Sequence, residues 1–102
     1  MKIKHNGVDD KIKSLGFQKV YESERSCHYE RYDAEHNFYQ TVYIQRRAVW
    51  NEFRIQSYDE NLMDKKGIGN TCVALTIEET KLFYKKMKQM TRKFNKLLKI
   101  QA

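Results

Sequence analysis

The chain has 102 residues, 40% hydrophobic, 32% charged and 13% aromatic, the composition and size of one globular domain rather than a disordered segment. It has no proline and four glycines, which leaves no flexible linker; no window suits a transmembrane span or secretory signal, so a cytoplasmic setting is expected. The net charge of +7 is uneven: residues 1–80 carry 12 Lys/Arg against 13 Asp/Glu, residues 81–102 carry 8 against none, and such asymmetry points to nucleic acid, an anionic membrane or an acidic protein.

Residues 8–15 contain Val8, Ile12 and Leu15 at spacings of four and three, with Asp9 and Asp10 early and Gly16 as a stop. That pattern predicts one short amphipathic helix, marginal alone and therefore packed on something. From Phe17 to Tyr58 β-branched and aromatic residues alternate, and FQKVYE, CHYERY, FYQTVYIQ and AVWNEFRIQSY predict four strands. SERS, DAEHN and QRRA between them are short polar connections, so the strands are expected to form an antiparallel meander.

Alternation assigns the faces. Phe38, Val42 and Ile44 share one side of the third strand; Val49, Phe53 and Ile55 are expected to share one side of the fourth. The other face would show Tyr39, Tyr43, Trp50 and Arg54, joined by Tyr29 and Arg31 or by Tyr32 and Glu30, depending on a register that the sequence leaves open. Aromatic rings beside arginine on an open sheet are a surface for stacking bases or for docking a partner; the same rings also stabilise any two-sided sheet as cross-strand pairs. No stretch has the RNP1 pattern of an RNA-recognition motif.

Residues 59–70, with Gly67 and Gly69, predict a loop, and TCVAL a short additional strand. Thr76-Ile-Glu-Glu79 is a capping box opening a helix over 77–98. Such a helix is roughly 33 Å long against roughly 23 Å for a seven-residue strand, so its end is expected to overhang the sheet. Phe83, Met87, Met90, Phe94 and Leu97 form its apolar stripe, while Lys81, Lys85, Lys88, Arg92, Lys96 and Lys99 run along another side. A solvated lysine face is the ordinary reading of such a row, but it does not account for the absence of any acid after Glu79. The six cations are the candidate nucleic-acid contacts. Phe94, Leu97, Leu98 and Ile100 extend the stripe beyond the expected sheet edge and suggest a homodimer through this helix.

Catalytic and metal signatures are weak. Cys27 and His28 are neighbours on a strand and point to opposite faces, so they cannot act as a nucleophile–base pair. Cys27 and Cys72 are expected to be reduced thiols. His5, Cys27, His28, His36 and Cys72 lack the paired spacings of a zinc site, and GIGN is not a phosphate-binding loop, so neither metal nor cofactor is expected. A metal-independent ribonuclease is the one enzyme class retained, with His28, His36, Glu30, Arg31, Tyr39 and Arg54 as its acid–base and cationic set.

The stretch QSYDENLMDKKGIGNTCVALTIEETKLFYKKMKQMT, residues 56–91, resembles small uncharacterised proteins of bacterial phages and mobile elements. That resemblance implies a role in host takeover, regulation or inhibition of host defence, with protein partners as well as nucleic acid in view. The sequence therefore predicts an α+β domain: a short N-terminal helix, a four-stranded antiparallel meander, and a long basic C-terminal helix packed on one face. The expected function is a non-enzymatic accessory or regulatory protein binding nucleic acid or an acidic partner through that helix. The alternative is a protein-binding inhibitor or adaptor using the aromatic sheet face.

Overall fold

A computed structural model describes residues 7–60 and 72–101. Among the described residues the elements follow in the order α1 (Val8–Ser14), β1 (Gln18–Glu22), β2 (Ser26–Asp33), β3 (Phe38–Gln45), β4 (Arg54–Asp59) and α2 (Ile77–Gln101). The strands form one antiparallel sheet in the order β1-β2-β3-β4. The α+β meander expected from the pattern is the fold. The 59–70 loop, apart from its first two residues, and His5 lie outside the described residues.

Gly16 turns the chain from α1 into β1 at φ +100°, a conformation that glycine adopts without strain. A Cβ there would also press on the Arg31 side chain at 3.3 Å. α1 and α2 pack on the same side of the sheet. The core joins Val8 and Ile12 of α1 and Leu82, Phe83, Met90 and Phe94 of α2 to Cys27, Tyr29, Val42 and Ile44 of the strands. Phe83 sits edge-on to Phe17 and Tyr29, with ring centroids 5.3 and 5.4 Å away.

Two polar networks hold the helices to the sheet. In the first, the capping box forms as expected: the Glu79 amide donates to Thr76 Oγ1 at 3.1 Å, and the Thr76 amide donates to Glu79 Oε1 at 2.9 Å. Glu79 Oε2 lies 2.9 Å from Arg31, which also donates to Gln40 and to the carbonyl of Leu15. One carboxylate thus caps α2 and ties its start to β2.

The second network depends on an irregularity in β1. Lys19 pairs with Tyr29 and Tyr21 with His28, leaving Val20 as an extra residue in a β-bulge. Lys19 and Glu22 are an odd number of residues apart and would point to opposite faces of a regular strand; the bulge turns both toward the helices. There they meet Asp9 and Lys86.

The structure corrects three expectations. β4 begins at Arg54, not Ala48; residues 46–53 form a connection, with the Trp50 amide bonded to the Arg47 carbonyl. The reason lies in the alternation itself. A strand from Ala48 with Phe53 and Ile55 inward would also carry Asn51 into the core, so Val49 is left 83% exposed instead. Phe94 does not overhang: it is buried against Phe53, and the Arg25 and Arg46 guanidinium groups lie over its ring at 5.1 and 4.5 Å. In place of an added strand over 71–75, the described part makes one bridge, Cys72 with Tyr58, and a bond from the Val73 amide to the Ser57 carbonyl.

Candidate functional site

The six proposed contacts all lie on the side of α2 away from the core. At 3.6 residues per turn, Lys81, Lys85, Lys88, Arg92, Lys96 and Lys99 fall within about 80° of arc and span about 27 Å of helix axis. All six are exposed, and none forms an ion pair among the described residues. Three acids close to the helices, Asp9, Glu22 and Glu79, are engaged with Lys19, Lys86 and Arg31, and exposed Glu78 stands beside only the start of the row, near Lys81 and Lys85. Exposed Tyr84 flanks the row, with the Lys88 ammonium 5.3 Å from its ring centre.

Lys86, next to ridge residue Lys85, has the opposite role. It is 3% exposed, 3.0 Å from Glu22 Oε2 and 3.1 Å from Asp9 Oδ1. Burial works against its charge, but hydrogen bonds to the two carboxylates outweigh that and raise its pKa. Burial likewise opposes the Asp9 carboxylate; hydrogen bonds from Lys19, Lys86 and Tyr29 prevail and bring it down to about 2. The available sequence signal was spacing: Lys86 falls three residues after Phe83 and four before Met90, inside the apolar stripe.

α1 adds a cation that its own sequence gave no reason to select. Lys11 faces α2 across a groove of about 300 Å³ lined by Gly7, Val8, Lys11, Lys85, Lys88, Gln89 and Arg92. An adjoining hollow continues along Lys11, Lys81 and Lys85.

On the far side of the sheet no described helix packs. Register places Tyr32 and Glu30 there and turns Tyr29 and Arg31 inward, which settles the alternative left open by the pattern. A row of rings crosses all four strands: Tyr21, His28, Tyr43 and Tyr58, with successive centroids 5.1, 4.5 and 5.7 Å apart. Burial holds the His28 pKa below its usual value, and its Nε2 has no hydrogen-bond partner among the described residues.

Tyr43, Trp50 and Arg54 line a hollow of about 420 Å³ with Gln45, Arg47 and Gln56. Trp50 lies in the β3–β4 connection, and the Arg54 and Arg47 guanidinium carbons stand 4.5 and 5.6 Å from its ring centre. Tyr39 is not part of this group. It lies four residues from Tyr43 along β3, about 13 Å away, donates to Glu30 at 2.7 Å and packs on Tyr32.

The ribonuclease set is divided. His28, Glu30, Tyr39 and Arg54 share the face turned away from α1 and α2, Arg31 is on the helix-covered face, and His36 sits in the β2–β3 turn, 2.7 Å from Asp33. Among the described residues no cluster of three or more His, Cys, Asp or Glu is arranged to hold a metal, and no helix is long and apolar enough to cross a membrane. No protein-family model, curated protein or solved structure matches the chain.

Proposed function

We propose that this protein is a non-enzymatic accessory or regulatory factor that binds nucleic acid through the exposed basic side of α2. One observation carries the reading: six cations in a single row, unpaired among the described residues, with Glu78 at its start as the one acid beside them on α2 while Asp9, Glu22 and Glu79 are engaged with Lys19, Lys86 and Arg31. An ordinary solvated helix face intersperses signs, gaining i,i+4 pairs and avoiding self-repulsion. Lysines in a row contact phosphates as point charges and give affinity without base readout. The exposed Leu98 and Ile100 at the end of α2 favour a homodimer, which would set two such rows side by side.

Labelled single- and double-stranded DNA and RNA, titrated at about 50 and 200 mM salt, test the reading; five phosphate contacts on a duplex give a log–log salt slope of about −4.5. Charge reversal at Lys88, Arg92 and Lys96 should abolish that binding. Retained binding by this triple variant, or none by the wild type at the lower salt, would refute the proposal.

A second reading is favoured by the hollow beside Trp50: a protein-binding inhibitor or adaptor, in keeping with the resemblance to phage and mobile-element proteins. Trp50→Ala would then lose the partner, and the triple charge reversal would not. Ribonuclease activity is the weakest reading, because the catalytic set is split across two faces; cleavage of labelled RNA in EDTA would revive it.

A further inference from the structure

The groove between α1 and α2 differs from the rest of the basic row in having two walls. Lys11 stands on one, Lys85, Lys88 and Arg92 on the other, and Val8 and Gln89 lie between them. No acid lines it. The neighbouring hollow that shares Lys11 and Lys85 includes Glu78, so the purely cationic stretch is the part toward Arg92.

α1 is only seven residues long and owes its position to tertiary contacts. Val8 and Ile12 are buried, and Asp9 accepts from Lys19, Tyr29 and Lys86. These bonds do two things at once. They hold the α1 backbone against α2, which positions Lys11, and they turn the Asp9 carboxylate away from the groove.

Four like charges beside about 300 Å³ of solvent raise a positive potential that a small anion relieves. From these observations we infer that the α1–α2 groove seats a phosphate of the nucleic-acid backbone, with Lys11 as a contact supplied from outside the basic helix. The inference rests on the nucleic-acid reading and deepens it: the row along α2 follows the backbone, and the groove fixes where along α2 that backbone is held. A phosphodiester suits the site because it brings one negative charge and acceptor oxygens that can be approached from both walls.

The test compares two lysines of the same helix. Lys11→Gln and Lys13→Gln remove equal charge, but Lys13 lies at a different hollow, beside Asp9, Asp10 and Phe17. Binding of a labelled duplex of about 20 base pairs is measured from about 50 to 200 mM salt. Lys11→Gln should weaken binding about threefold to fivefold at the lower salt and reduce the steepness of the slope by about 0.9, as loss of one phosphate contact requires. Lys13→Gln should keep the wild-type slope, and Lys11→Arg should restore it.

Equal losses from Lys11→Gln and Lys13→Gln would overturn the inference in favour of net charge alone. A wild-type slope for Lys11→Gln alongside weakened binding by Lys88→Gln and Lys96→Gln would overturn it while leaving the α2 row intact. Absence of wild-type binding would remove both readings together. Matching urea midpoints for the Lys11 and Lys13 variants exclude misfolding as the cause of a difference.

Discussion

Lys85 and Lys86 are adjacent and chemically identical, yet the structure assigns them opposite work, and replacing each by methionine separates the two. Methionine keeps an unbranched apolar stem and removes the charge. At position 86 the loss leaves Asp9 and Glu22 facing the interior without the ammonium that lies 3.0–3.2 Å from them. Breaking a buried pair in this way costs about 3–5 kcal/mol. Here the low end applies, about 3 kcal/mol, since the Asp9 and Glu22 side chains keep 40% and 29% exposure and both still bind Lys19. For a domain of this size that is a fall in Tm of about 15 °C. Lys85→Met should leave the urea midpoint unchanged, because its side chain is exposed, and should instead flatten the salt dependence of nucleic-acid binding. Urea unfolding followed by far-UV circular dichroism reads the first effect, and the duplex titration reads the second. A Lys86→Met protein within about 1 kcal/mol of wild type, or a Lys85→Met protein equally destabilised, would refute the argument.

Three further outcomes follow from the same contacts. Thr76→Ala removes the acceptor of the Glu79 amide and should lower stability by about 1 kcal/mol in urea unfolding, with α2 fraying from its start. The depressed Asp9 carboxylate contributes stability above its unfolded pKa and loses it as pH falls through the folded value of about 2; an acid unfolding curve should drop between about pH 4 and 2, and Asp9→Asn should flatten it there. A thiol reagent at neutral pH should modify exposed Cys72 promptly and Cys27 only on unfolding, because burial encloses the Cys27 sulfur and pushes its pKa up.

Local signals were enough for much of this molecule. The apolar spacing of Val8, Ile12 and Leu15, the alternation in residues 17–45, and the Thr76–Glu79 box each concern residues within a turn or a strand of one another. Their physics is therefore complete in the sequence. The same holds for the row from Lys81 to Lys99: helix periodicity alone puts those cations on one side.

What the sequence left open involves residues far apart along the chain. The bulge at Val20 turns both Lys19 and Glu22 toward Asp9 and Lys86, and no pattern in QKVYE announces it. Register chose Tyr32 and Glu30 over Tyr29 and Arg31 for the face turned away from α1 and α2, because a shift of one residue exchanges the faces and only the packed helices select between them. Tertiary packing also brought Lys11 to the basic row and gave Lys86, which periodicity already places in the apolar stripe, its partners Asp9 and Glu22. Periodicity gives the direction of a side chain from its own helix; what that side chain meets there depends on the element folded against it.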